Sequence, residues 1–378
     1  PGSILRNADS HLEAWDRRVA MGPMGAAMSG SFRRLGDQRG MFADWTDRIA
    51  AGEVPTQIPP RPVGIERNVV VTLWDWGTET DGRTDSAASD VRDATVNANG
   101  LIYGVVQPSD ILAVLDPVEH RASVIKIPSN SPEIQTDTPI SPYWGDDDVW
   151  ARQSDPRSVA IDADGRVWLT GRVRGADSQP AFCTDASNVF ADHYPLERGS
   201  RQVFMYDPGT EVFSEIDTCF SADHNQISDD DVIYYGFNGG LGWIDIDLWD
   251  ETQDAEAAQG WCPGVVDING DGVITPGWTE PTEAIDPSRD HRIRVSCYSP
   301  AVNPADGTVW CSGNGPTDNR LVRIDLGENP PESCTAELFE PPPGVTNPSA
   351  YGSGGLHFTT DGIAWQDWRG SGHFASFD

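Results

Sequence analysis

The chain has 378 residues and a formal charge of −33, from 59 acidic against 26 basic side chains. Binding to duplex nucleic acid is excluded, because it needs a basic face to displace counterions, and an anionic membrane surface would repel this charge. With 38% apolar residues and 14 Trp the chain has material for a large core, which excludes disorder, and no apolar run is long enough for a spanning helix, so no membrane insertion is expected. The acids are mostly Asp and the bases almost all Arg, Lys126 being the single lysine. A GC-rich genome or adaptation to salt would each produce that skew. The 38 Gly and 29 Pro indicate many turns.

Residues 1–52 lack strand-like alternation. HLEAWDRRVA and SFRRLGDQRGMFADWTDRIAAGE read as short amphipathic helices, with Phe42, Trp45 and Ile49 at i, i+3 and i+7 and Gly52 as the stop. Residues 53–66 form a Pro-rich linker of extended character. The opening Pro1, with no initiator Met and no leader, predicts a processed or incomplete N-terminus.

From residue 67 the pattern is strands and turns. RNVVVTLWDW reads as a strand that would complete the last repeat from the N-terminal side. One motif then recurs, an apolar strand, a turn ending in Asp/Asn-Gly, and a strand with an aromatic residue. Its copies are TVNANGLIYGVV, VAIDADGRVWLTG, QISDDDVIYYGF, AVNPADGTVWCSG and LHFTTDGIAWQDW. Asp-Gly and Asn-Gly supply the positive φ of a tight hairpin. Most copies are followed by a second strand pair around an Asp, as in AVLDPVEHRASVIKIP, FMYDPGTEVFSEID, LGWIDIDLW and LVRIDLGENPPESCTAELFEPP. DIDLWDE accordingly reads as a strand with acids on its exposed face.

Two hairpins per repeat make a four-stranded antiparallel unit, and repetition of such units predicts an all-β fold, a β-propeller over residues 67–378 behind a short helical N-terminal arm. Five repeats are legible. Six or seven follow if further residues extend the last unit after GHFASFD.

Six cysteines, Cys183, Cys219, Cys262, Cys297, Cys311 and Cys334, form no CxxC pair. An even, widely spaced set predicts three disulfides and an extracellular or periplasmic location, against the alternative of six buried thiols in the cytosol. The expected pairing is local: Cys183–Cys219, Cys262–Cys297 and Cys311–Cys334.

DPRSVAIDADGRVWLTG and GGLHFTTDGIAWQDW resemble the repeats of streptogramin (virginiamycin B) lyase and NHL-type propellers. MFADWTDRIAAGEVP, ERNVVVTLWDW, TVNANGLIYGV, LDPVEHRASVIKIP and SPYWGDD resemble a group of bacterial secreted proteins in which a cytochrome c-like segment precedes a propeller. That resemblance implies fold and compartment. The CxxCH of a haem segment is absent from this chain, so residues 1–52 would be the tail of a haem-binding region whose front lies upstream.

VVDINGDGVITPGWTE predicts a calcium site within an insertion at about 250–296. Asp267, Asn269 and Asp271 supply oxygens at positions 1, 3 and 5 of an EF-hand-type loop, Gly272 the turn, Val273 its carbonyl at position 7, and Ile274 packs inward. Position 12 is Trp278 where a bidentate Glu is expected, so Glu280 is the expected replacement. The bland alternative is a surface turn without an ion. GDDDVW (145–150) and SDDDVI (228–233) read as solvated turns.

His224 and His357 lie at or near the first strand of a repeat, the strand that lines a propeller's channel. Asp93, Arg157 and Tyr298 occupy comparable positions, and the five together predict a polar channel site, with His224 and His357 as candidate catalytic groups and His373 on the following strand. The alternative is a set of satisfied polar residues around a water-filled channel. No GxSxG or HExxH motif is present. Three functions follow: a calcium-bearing binding or assembly module for a protein or small-molecule ligand, a lyase- or hydrolase-type enzyme at the channel, and an electron-transfer partner of an upstream haem segment.

Overall fold

The computed structural model describes residues 7–20, 28–29, 32–33, 36, 38–58, 60–74, 76, 85–88, 95–129, 153–175, 178–187, 191, 201–237, 239–294, 296–313, 320–341, 352–369 and 371–378. Asp93 and the GDDDVW turn lie outside them.

Five antiparallel sheets follow one another along the chain, a β-propeller. Sheet 1 holds β1 (Ala87–Ala88), β2 (Ile102–Val106), β3 (Ile111–Asp116) and β4 (Arg121–Lys126). Sheet 2 holds β5 (Arg157–Ile161), β6 (Val167–Arg172), β7 (Arg201–Asp207) and β8 (Val212–Ile216). Sheet 3 holds β9 (Asn225–Ile227), β10 (Val232–Phe237), β11 (Gly240–Asp245) and β12 (Gln259–Pro263). A two-stranded ladder of β13 (Val265–Val266) and β14 (His291–Arg292) frames the insertion. Sheet 4 holds β15 (Ser299–Val302), β16 (Val309–Ser312), β17 (Leu321–Asp325) and β18 (Thr335–Phe339). Sheet 5 has three described strands, β19 (Ser353–Phe358), β20 (Ala364–Trp368) and β21 (His373–Phe377). The inner strands β1, β5, β9, β15 and β19 adjoin in that order.

The recurring turn does what its residues predict. Gly165, Gly307 and Gly362 hold φ between +74° and +88°, and Asp231 takes φ +54° in the copy without glycine. Three residues after each turn position comes the aromatic residue, and it packs into the interface with the next sheet. Tyr103 fills the core between sheets 1 and 2, Trp168 that between 2 and 3, Tyr234 that between 3 and 4, and Trp310 that between 4 and 5. In sheet 5 the equivalent Trp365 is 38% exposed and stacks on Phe374 with ring centroids 5.0 Å apart. Among the described residues no apolar cluster joins that face to another sheet.

Three expectations about elements are corrected. TVNAN (95–99) is turn, not strand, and the inner strand of sheet 1 is the short β1 upstream. Asn97 closes the turn, its Nδ2 donating to Leu101 O at 2.7 Å. Residues 69–74 join no ladder among the described residues, with Val70 87% exposed. Strand propensity alone does not make a strand without a hydrogen-bonding neighbour, and Trp74 instead donates from its indole to His120 Nδ1 at 3.0 Å, at the β3–β4 turn. DIDLWDE is helical. Asp245 caps α3 (Ile246–Thr252) by accepting from Leu248 N at 2.9 Å, and Ile246 and Trp249 bury the i, i+3 face. The N-terminal helices α1 (His11–Ala20) and α2 (Arg39–Ala50) form a pair, with Trp15 against Phe42 at 4.9 Å, and α4 (Ala255–Ala258) follows α3.

All six cysteines are paired. Cys183–Cys219 is the expected bond, but the other two are Cys262–Cys334 and Cys297–Cys311, not Cys262–Cys297 and Cys311–Cys334. Register decides this. Pro300 lies opposite Cys311 across β15 and β16, which brings Cys297, just ahead of β15, within 4.6 Å of Cys311 between Cα atoms. Cys262 on β12 and Cys334 beside β18 then join sheets 3 and 4 along their outer strands.

Candidate functional site

The residues just before or at the start of the inner strands meet at one end of those strands. His224 precedes β9, and its Nε2 stands 3.5 Å from Asp85 Oδ1, a residue two ahead of β1. Tyr298 precedes β15 and lies against the His224 ring at 4.4 Å between centroids. Arg369, which follows β20, lies over the Tyr298 ring at 4.8 Å from its centroid. Arg157 opens β5 and pairs with Asp223 at 3.7 Å. Ser158 Oγ donates to Asn225 Oδ1 at 2.9 Å and accepts from Asn225 N at 3.1 Å, tying sheet 2 to sheet 3. Behind this rim Arg201 reaches Asp223 at 3.5 Å and bonds the buried Asp155.

The backbone at this rim is unusual. Asp155 and Cys297, in the approaches to β5 and β15, and Ser158, within β5, all take positive φ, at +43°, +32° and +45°. Non-glycine residues hold such conformations only where surrounding contacts over-determine them. At Ser158 the cause is visible as a shift of register between Arg157 and Val159 in the β5–β6 pair. Sheet 3 and the lead into sheet 4 also approach closely: a Cβ on Gly236 would lie 1.7 Å from the Cys297 carbonyl oxygen.

Electrostatics follow from burial and neighbours. Burial pushes the Asp85 carboxyl up, but the hydrogen bond and charge of His224, the Arg157 charge and the Ser158 N–H outweigh it and leave Asp85 below its ordinary value. Burial pulls Arg201 down, against the opposing pull of Asp155. The rim thus presents an anion, cations, an imidazole and a phenol within one small area.

Of the expected channel set, Arg157, His224 and Tyr298 occur together, while Asp93 lies outside the described residues. His357 does not join them. It is the fifth residue of β19, opposite Trp365, whereas the rim of sheet 5 is marked by Ser353 opposite Trp368. At roughly 3.3 Å per residue it stands on the order of 10 Å along the strand from that rim, with an exposed side chain. His373 bonds Ser371 Oγ at 2.9 Å, in the turn before its own strand. Asp85, Asp223, Ser158 and Arg369 are additional members. Asp85 escapes sequence reading because the inner strand of sheet 1 has only two residues and no apolar run to mark it.

The second candidate site is the insertion loop. Asp267 accepts from Gly270 N at 2.7 Å and Gly272 N at 2.9 Å, Asn269 from Asp271 N at 2.9 Å, and Asp271 from Val273 N at 2.9 Å. Gly270 and Gly272 take φ +75° and +78°. Ile274 is buried, as position 8 predicts, and its N–H donates to Glu332 O at 2.6 Å, anchoring the loop on sheet 4. Trp278 is buried as well. Glu280 is turned to Arg292 as an ion pair, so it does not serve the loop as expected. Asp290 faces the loop instead: its Oδ2 accepts from Thr275 N at 2.9 Å. Burial raises its carboxyl, and the Asp267 and Asp271 charges raise it further. Among the described residues no three His, Cys, Asp or Glu side chains stand already at metal-holding spacing. The donor set is all oxygen, which suits a hard cation such as Ca²⁺.

No known family profile and no curated protein matches the chain. Among solved structures, a catalytically inactive virginiamycin B lyase from Staphylococcus aureus with quinupristin is 12% identical, aligned over 82% of this chain and 72% of its own, with a TM-score of 0.39. YCF48 bound to D1 peptide is 10% identical over 82% and 68% of the two chains, with a TM-score of 0.39. The calcium-binding protein regucalcin from Agrobacterium tumefaciens is 12% identical over 78% and 68%, with a TM-score of 0.34. Overlaps this slight say nothing about activity, and the propeller assignment rests on the five sheets themselves.

Proposed function

We propose that the chain is an exported, calcium-stabilised β-propeller that works as a binding or assembly module, engaging a protein segment or a small polar ligand at the rim formed by Asp85, Arg157, His224, Tyr298 and Arg369. The convergence of these side chains from all five sheets at one end of the inner strands carries the reading. Positive φ at Asp155, Ser158 and Cys297 supports it, since strain of this kind gathers where geometry is held for a purpose. Export is supported by three disulfides, which persist in oxidising compartments. No helix among the described residues is long and apolar enough to cross a membrane.

A thermal-shift screen of the protein against small carboxylates, sugars and short peptides tests this. The expected result is a ligand class that raises the unfolding midpoint of the parent chain and not that of Arg157→Ala or Tyr298→Ala. Stabilisation that survives both substitutions places binding elsewhere and contradicts the proposal.

A lyase- or hydrolase-type reading keeps one observation in its favour. Asp85 beside His224 is an arrangement that orients an imidazole for proton transfer. That reading now stands on His224 with Asp85, without His357.

A further inference from the structure

We infer that Asp290 is the carboxylate that closes the calcium loop, in the place that an EF-hand gives to a glutamate at its twelfth position. The inference rests on the calcium reading of Asp267–Val273 and supplies the ligand that reading lacks. Position 12 holds Trp278, whose buried indole offers no oxygen. Glu280 is committed to Arg292, and its backbone N–H bonds Glu283 at 2.7 Å.

Asp290 has what those residues lack. It is 2% exposed, and while Oδ2 accepts from Thr275 N, Oδ1 is buried with no hydrogen-bond partner. Buried carboxylate oxygens are normally paired, and this one is left over on a residue that Thr275 N holds to a loop carrying two further carboxylates, which marks a place for a cation. Protein cations do not fill it. Arg289 donates to Trp278 O at 3.1 Å, Arg292 faces Glu280, and the His291 ring meets Thr279 Oγ1 at 2.7 Å. Among the described residues no Arg, Lys or His pairs with Asp267, Asp271 or Asp290.

The backbone fixes Asp290 in place. Thr279 N donates to Asp290 O at 2.9 Å and Arg292 N to Thr279 O at 2.8 Å, so the segment from Asp290 into β14 is stitched to the far half of the loop. Drawn together on an ion, the three carboxylates, the Asn269 amide oxygen and the Val273 carbonyl would make a hard-oxygen set that water completes to the six to eight ligands Ca²⁺ takes.

Calorimetric titration of CaCl₂ into chelator-stripped protein tests this, with Asp290→Asn and Glu280→Gln beside the parent. The expected result is one ion per parent chain, at least ten-fold weaker binding by Asp290→Asn, and binding by Glu280→Gln within about three-fold of the parent. Parent-like binding by Asp290→Asn overturns the inference and leaves the calcium reading intact, whereas a parent chain that takes up no Ca²⁺ removes the calcium reading itself and the inference with it. Should Asp290→Asn not fold, anomalous scattering from parent crystals grown with Tb³⁺ decides. An ion at about 2.3–2.6 Å from Asp290 Oδ1 is expected, and an ion ligated by Glu280 with Asp290 outside its shell is the overturning result.

Discussion

At the rim, the Asp85–His224 pair ties sheet 1 to sheet 3. Asp85 is depressed in the folded protein, so its contribution to stability is present above the ordinary carboxylate value near 4 and is lost as pH falls through the lower folded value. Asp85→Asn is therefore expected to cost about 1–2 kcal/mol at neutral pH. The gap between parent and variant, measured by urea unfolding, should hold from pH 7 to about 5 and shrink below about 4. Asp162 is a second residue whose role is legible only in three dimensions. Its carboxylate accepts from Asp164 N, Arg166 N, Arg166 Nε and Trp168 Nε1, at 2.7 to 3.1 Å. Asp162→Ala leaves those donors in a buried corner and should cost roughly 2–4 kcal/mol in the same assay. Arg157, His224 and Tyr298 are readable from sequence because each stands directly at an apolar strand that announces itself. Asp290 is not, because nothing in its local sequence, PSRDHR, shows that a ladder folds it back onto a loop far upstream.

Among the elements, the DG-type hairpin was the strongest signal, since its turn chemistry and its aromatic residue repeat at fixed spacing. What spacing alone does not reveal is which interface each aromatic fills. Trp168 is wholly buried between sheets 2 and 3, whereas Trp365, at the same position of its copy, meets mostly Phe374 and solvent. Trp168→Ala should therefore cost about 3–5 kcal/mol, and Trp365→Ala about 1 kcal/mol or less, measured as the loss of unfolding free energy. The disulfides teach the same lesson. Joining consecutive cysteines predicts Cys262–Cys297 and Cys311–Cys334, but the register of β15 on β16 brings Cys297 to Cys311, and Cys262 is left to meet Cys334 across two sheets. Peptide mapping without reduction should recover these two bonds and Cys183–Cys219. The Cys262–Cys334 bond closes 72 residues, so its loss is expected to cost roughly 4 kcal/mol, against about 3 for the 14-residue Cys297–Cys311 link.

Across the whole molecule, the charge of −33 has several origins. Some of the acids are turn and cap residues such as Asp162, Asp231 and Asp245, whose carboxylates or backbone shape the fold. Asp85, Asp155 and Asp223 are set against His224 and the arginines of the rim. Asp267, Asp271 and Asp290 gather at a loop that packs on sheet 3 through Ile274 and Trp278 and on sheet 4 through Glu332, so a cation there would fasten two sheets beside the Cys262–Cys334 bond. Such an ion binds the folded chain and not the unfolded one, and stabilisation then grows with the logarithm of its concentration. The most direct measurement is the unfolding midpoint of chelator-stripped protein as CaCl₂ is raised at fixed high salt, which screens the general surface field. The midpoint is expected to climb steadily once Ca²⁺ exceeds its dissociation constant, and not to climb in the Asp267→Asn variant. A midpoint that stays the same from chelator to millimolar Ca²⁺ would contradict the account.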